Sequence, residues 1–130
     1  MNIVMLDSGQ LSGDVDFPEV NLDKYGWSQF VSLDDSEIEE RCWRADIIIS
    51  TNTPVTAKVI DGAFKLKLII AAGDSTEHID LDAAKSRDIL VTNVAGLTGD
   101  KPEHTEAICK QVVEQINDWL QKAAESNTTT

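Results

Sequence analysis

Basic residues are scarce in this sequence. Only 11 Lys and Arg stand against 23 Asp and Glu in 130 residues, for a formal net charge of -12. Binding a phosphate backbone draws on clustered Lys and Arg, so no nucleic-acid partner is expected. Long apolar runs are missing as well. Stretches such as Leu68 to Ala72 and Ile47 to Ile49 fall far short of the roughly 20 residues that cross a bilayer, and no membrane partner is expected. The opening MNIVMLDSG has neither a basic n-region nor a long apolar stretch. It does not read as a secretory leader, and a cytoplasmic location is expected. Aromatic residues make up only 5% of the chain, little material to flank a flavin ring. There are two cysteines, Cys42 and Cys109, without Cys-x-x-Cys spacing. Both lie in helical patterns beside apolar residues and are read as reduced and packed, not as a disulfide or a metal pair. A Gly-x-Gly-x-x-Gly phosphate loop is absent too.

What is present is enough for one domain with a real core. Asn2 to Leu6, Asp46 to Ser50 and Leu66 to Ala72 are near-continuous apolar runs of the kind that fill central parallel strands. Ser28 to Leu33 reads as an outer strand and Ile89 to Thr92 as a fifth. Between them lie Ser8 to Pro18, a loop, and Glu19 to Tyr25, a short weak helix. A helix opens at Asp34 to Glu37 and carries Ile38, Cys42 and Ala45. Another runs through Ile60, and a third, capped by Asp80, spans Leu81 to Ser86. Strands alternating with helices predict an α/β fold, a doubly wound, flavodoxin-like three-layer α/β/α sandwich. Its five-stranded parallel sheet has order 2-1-3-4-5. The last helix is the longest. Asp100 is the expected cap and Pro102 suits the first turn. Ile108, Val112, Ile116, Trp119, Leu120 and Ala123 share one face that must lie on the sheet. The expected organisation is a single domain over 1–124, with body 1–96, junction 97–105 and closing helix 106–124. A disordered polar tail is expected over 125–130.

Few residues suggest chemistry on their own. Asp7 ends the first strand, but a receiver domain needs a second acid beside it and an Asp at the end of the third strand. Ser8 and Ser50 stand there instead. His78 lies near Asp74, Glu77 and Asp80. One His with carboxylates is a poor transition-metal set, so no metal is expected. His104 reads as an exposed first-turn residue, and Arg87 as an ordinary surface-helix residue. The tryptophans Trp27, Trp43 and Trp119 read as packing residues.

Four segments in order carry more. Ala45-Asp46-Ile47-Ile48-Ile49 is followed by Asn52-Thr53-Pro54-Val55-Thr56. Lys65-Leu66-Lys67-Leu68-Ile69 leads to His78-Ile79-Asp80-Leu81-Asp82-Ala83-Ala84. Ile89 to Gly96 reads ILVTNVAG. Together they resemble the substrate domain of the D-2-hydroxyacid dehydrogenases, near the hydroxypyruvate reductase and glycerate dehydrogenase branch. That resemblance implies an NAD- or NADP-dependent oxidoreductase whose loop after the fourth strand holds a carboxylate on backbone N–H groups. Here that loop reads Gly73-Asp74-Ser75, a departure from the family's Ala-Ser/Thr-Gly. Gly73, Asp74, Ser75 and Thr76, with Ser50, Thr51 and Asn52 beside them, are the expected binding residues for a small 2-oxo or 2-hydroxy acid, held weakly.

The family's catalytic Arg, Glu and His belong to a nucleotide domain, so no catalytic or cofactor-binding residue is assigned. Gly96 to Thr105 resembles the crossover into that domain and Glu106 to Leu120 the closing helix, joined directly. The resemblance therefore implies a truncated or engineered stand-alone substrate domain, monomeric or weakly dimeric, without cofactor and without catalysis of its own. A ligand-free flavodoxin-like scaffold or a small interaction module is the alternative.

Overall fold

The computed structural model describes residues 1–123 in full and the backbone of 124–128. Five strands form one parallel sheet in the order β2-β1-β3-β4-β5: β1 (Asn2–Met5), β2 (Gly26–Gln29), β3 (Ile47–Ser50), β4 (Leu68–Ala71) and β5 (Leu90–Asn93). The expected architecture and strand order are thus observed. The physical reason is visible in β3 and β4, which are buried at every position. A strand without a polar face needs cover on both sides.

The two covers differ. One face carries α1 (Asp35–Cys42), α2 (Ala57–Gly62) and α3 (Leu81–Ser86). Ile38, Val59, Ile60 and Ala84 pack there on Val4, Ile48 and Ile69. The other face is covered chiefly by α4 (Pro102–Thr128), whose Ile108, Val112 and Ile116 sit on the layer of Ile47, Ile49 and Ile70. The connection from β1 to β2 fills the rest of that layer with Phe17, Val20, Leu22 and Tyr25. Burying a Leu or Ile side chain is worth about 1.5–3 kcal/mol, so this one helix is a major part of the fold's stability.

Several local expectations are corrected. Glu19 to Tyr25 is not helical. It drapes over α4, with Val20 N–H donating to the Tyr25 hydroxyl and Asn21 N–H to Asn117 Oδ1. The layer where a helix would lie is already filled by α4. The outer strand is Gly26–Gln29 rather than 28–33, because its register is set by the short β1, Asn2 opposite Gly26 and Met5 opposite Gln29. Pro102 is the first residue of α4, so the cap position falls on Lys101, not Asp100. Ala123 is exposed, beyond the buried stretch of the helix. Trp43, though 47% exposed, packs beside the end of α1 as expected, with the Arg44 guanidinium 4.5 Å from its ring centroid and the Phe64 ring 6.0 Å away. Arg87 is more than a surface residue: its guanidinium donates to the carbonyls of Ile60, Ala63 and Phe64, closing the end of α2. The expected tail at 125–130 lies outside the fully described residues.

Other details match. Asp80 accepts from Ala83 N–H at 3.0 Å and starts α3 as expected. That helix ends with Asp88 N–H donating to Lys85 O and Ile89 N–H to Ala84 O, and Asp88 takes a φ of 56°. Cys42 and Cys109 are buried free thiols. Burial pushes the Cys42 thiol up to about 12 and raises that of Cys109. No helix among the described residues is long and apolar enough to cross a membrane.

Candidate functional site

In a doubly wound sheet the loops at the carboxyl ends of the strands are where ligands sit. Here three such segments converge: Asp7 after β1, Thr51 to Thr53 after β3, and Gly73 to Thr76 after β4. The chain from Val94 to Lys101 then crosses above them. It is anchored by Val94 N–H to Gly73 O at 2.9 Å and by Ser12 N–H to Gly99 O at 2.8 Å. A side chain at Gly99 would meet Gln10 O and Thr51 Cγ2 at 3.1 Å, so the crossing chain passes close. Beneath it is a cleft of about 370 Å³.

Of the expected binding residues, Thr51, Asn52, Gly73, Asp74 and Ser75 line this cleft. Ser50 and Thr76 are not among the lining residues. Ser50 is fully buried and its hydroxyl donates to Thr53 O at 2.7 Å, closing its own turn. Thr76 uses its carbonyl to accept Ile79 N–H at 3.0 Å. The crossing chain contributes Thr98, Gly99 and Asp100 to the wall. Sequence reasoning did not find these, because nothing in Gly96 to Thr105 says which way the loop folds.

The loop after β3 is already occupied by an internal anion. The Asp7 carboxylate, 1% exposed, accepts the N–H groups of Thr51, Asn52 and Thr53, each at 2.8 Å, and the Thr53 hydroxyl at 2.8 Å. Successive backbone N–H groups converging on one carboxylate form a nest of the kind that binds anions. Its donors are therefore spent on Asp7. The signal for this was an acid directly after an apolar strand, which must find partners once the strand is buried.

The loop after β4 is different. An acid at Asp74 would put a negative charge where an anion would sit. Its carboxylate instead accepts Gly96 N–H at 2.9 Å, and its carbonyl accepts Asn93 Nδ2 at 3.0 Å. The N–H groups of Asp74, Ser75 and Thr76 donate to no acceptor among the described residues. They are the free donors at the strand tips. Ser75 Oγ accepts Glu77 N–H at 3.1 Å and shapes the turn. His78 links the two loops, its Nε2 lying 3.2 Å from Ser50 O. His104 is half-buried, and its Nδ1 accepts Thr98 N–H at 3.1 Å. The Thr98 hydrogen bond holds Asp100 below the usual carboxylate range, so the cleft wall is anionic at neutral pH.

These residues do not fit a dinucleotide. The entry to α4 offers Asp100 and a Thr98 N–H already bound to His104, where a pyrophosphate needs free donors and no acid. Among the described residues there is no group of His, Cys, Asp and Glu that could hold a metal ion.

Comparison with known proteins bears on the family and the fold. The model of the "D-isomer specific 2-hydroxyacid dehydrogenase, catalytic domain" family matches residues 13–129. A putative 2-hydroxyacid dehydrogenase of Haemophilus influenzae is 28% identical over 127 residues, 97% of this chain and 40% of that protein. A formate dehydrogenase of Pichia angusta is 40% identical over 84 residues, 58% of this chain and 23% of that one. The chain thus spans well under half the length of these relatives. Among solved structures, an NAD-dependent formate dehydrogenase of Staphylococcus aureus superposes with a TM-score of 0.53 at 25% identity, over 74% of this chain and 32% of its own. The NAD+-bound 3-phosphoglycerate dehydrogenase of Entamoeba histolytica has a TM-score of 0.58 at 21% identity, covering 72% and 32%, a likeness of fold alone. With a family match running from residue 13 to residue 129, the chain belongs to the D-isomer-specific 2-hydroxyacid dehydrogenases and corresponds to part of their catalytic domain.

Proposed function

We propose that this chain is the substrate-side lobe of an NAD(P)-linked 2-hydroxyacid dehydrogenase of the hydroxypyruvate or glyoxylate reductase type. It holds the carboxylate of a small 2-oxo or 2-hydroxy acid on the free N–H groups of Asp74 and Ser75, the two of these donors whose residues line the cleft. The observation that carries this reading is the pair of loops at the strand tips, one nest filled by Asp7 and the neighbouring one open. Hydride transfer needs the cofactor held against the substrate. The residues at the tips do not fit a dinucleotide, so these residues bind and orient the acid and do not turn it over by themselves.

The test has two arms. Titration of the labelled chain with hydroxypyruvate, glyoxylate and phosphate should move the amide signals of Asp74 to Glu77 and leave those of Thr51 to Thr53 in place. NADH oxidation with the same acids should stay at the buffer rate. Turnover above that rate overturns the binding-only reading, and unmoved amides at all concentrations overturn the binding site. The second outcome supports the alternative of a ligand-free scaffold. One observation favours that alternative: the donors of Thr51 to Thr53 are permanently taken by Asp7.

A further inference from the structure

We propose that β5 is a docking edge for a second copy of this chain, joined antiparallel across a two-fold axis at Val91. The register with β4 decides which groups face outward. Leu90 N–H donates to Lys67 O at 3.1 Å, and Leu68 stands opposite Leu90, Ile70 opposite Thr92. Leu90 and Thr92 therefore turn their backbone groups to β4. Ile89, Val91 and Asn93 turn theirs to the edge.

Two of those outward groups are already used within the chain. Ile89 N–H donates to Ala84 O at 2.9 Å, and Asn93 O accepts Gln115 Nε2 at 2.9 Å. Val91 N–H, Val91 O, Asn93 N–H and Ile89 O have no partner among the described residues. This remainder is self-complementary. With Val91 opposite its own copy, the two Val91 residues exchange N–H and C=O. Asn93 N–H of each copy meets Ile89 O of the other. The groups spent internally are the ones whose partners in this register are also spent internally. An edge with a different remainder would not match itself.

The side chains agree with the pairing. Leu81 and Leu90 are 48% and 50% exposed, large apolar groups at an open trough of about 380 Å³ along this edge. Val91 shares a face with Ile69, so the two Val91 side chains meet across the axis on the side of α3. Leu90, on the opposite face, meets Thr92 of the other copy. Antiparallel strands set the two α3 helices antiparallel. Asp82 is in the first turn of α3 and Lys85 in its last, both exposed. The Lys85 end of one helix then lies beside the Asp82 end of the other. An unrelated extended peptide would gain the same backbone bonds but not this charge match.

Sedimentation at about 0.15 M salt, where repulsion between net-acidic copies is screened, tests the idea. The expected result is a concentration-dependent dimer in which the Val91 and Asn93 amides become protected from exchange as concentration rises. Lys85→Glu should raise the dissociation constant about 2- to 5-fold. The double variant Asp82→Lys with Lys85→Glu should restore it, which no purely structural effect of the single change would do. Val91→Pro removes an outward N–H while leaving the β4 ladder intact and should abolish the dimer. A monomer at every concentration overturns the proposal. So does a dimer in which those amides exchange freely and charge reversal has no effect.

Discussion

Replacing Asp7 by Ala should cost more than most single changes in this domain. The Asp7 carboxylate accepts from three backbone N–H groups and one hydroxyl, each at 2.8 Å, while 1% exposed. Hydrogen bonds to a charged group are worth about 1.5–3 kcal/mol each, and they do not add. The donors differ in what happens afterwards. Asn52 is exposed and Thr53 half-buried, so water can take over there. Thr51 is 6% exposed, and its N–H is left without an acceptor at about 1–3 kcal/mol. Its hydroxyl already lacks a partner, so this turn holds one unsatisfied polar group before the change and a second after it. The total is about 3–4 kcal/mol, a large part of the 5–15 kcal/mol that holds a domain together. Asp7→Asn should lose a similar amount, since an amide NH₂ would face N–H donors. The assay is urea unfolding followed by tryptophan fluorescence, with the midpoint falling by about 1–2 M for a typical slope. A loss below about 1 kcal/mol in both variants would refute the claim that this carboxylate braces the loop after β3.

Three further outcomes are expected. Asp88 sits at a φ of 56°, where glycine carries no steric cost, so Asp88→Gly should raise stability by about 0.5–1 kcal/mol in the same assay. Gly99→Val should break the anchoring of the crossing chain, because the new atoms meet Leu11 Cδ2 at 3.0 Å and a backbone carbonyl at 3.1 Å. Loss of the slow exchange of Ser12 N–H would report it. Alkaline pH should destabilise the fold. The Cys42 thiol has its folded value raised from 9.0 to about 12. Its contribution is therefore complete below pH 9 and is lost as pH climbs toward 12, at up to about 1.4 kcal/mol per pH unit. Cys42→Ala should flatten that part of the profile, and an unchanged alkaline slope would count against it.

The sheet was legible in the sequence because its central strands are apolar at nearly every position, a pattern that only a doubly covered parallel sheet satisfies. Helix α3 was legible to the residue, since Asp80 announces its start. The edges were harder. A strand such as Gly26–Gln29, with little burial, takes its limits from its neighbour's register and not from its own composition. Glu19 to Tyr25 failed for a related reason. Its helical preference is weak, and α4, more than eighty residues later, had already claimed the layer. In the cleft, Thr51, Asn52 and Gly73 to Ser75 could be found from motif spacing, whereas Thr98, Gly99 and Asp100 could not. Their place depends on a hydrogen bond from Ser12 N–H to Gly99 O and one from Thr98 N–H to His104 Nδ1, which no local pattern encodes.

The two loops at the strand tips explain each other. Both follow buried strands, and both carry backbone N–H groups that the sheet does not use. At the first, the chain supplies its own anion, Asp7 just after β1, so the donors are filled whether or not a ligand is present. At the second, the nearest acid, Asp74, is drawn off by Gly96 N–H and the donors stay open. The side chain that could have blocked the site instead ties it to the chain crossing above. Loosening that tie should have two opposed effects. Asp74→Ala would remove a negative charge from the cleft and so favour an anion, but would free Gly96 and let the roof move. If the charge matters more, the variant binds small carboxylates more tightly. If the tie matters more, binding weakens and the Gly96 amide exchanges faster. Because Asp74 is exposed, its charge is screened by water, while the hydrogen bond to Gly96 is a local constraint that water replaces only in part. The tie should therefore win.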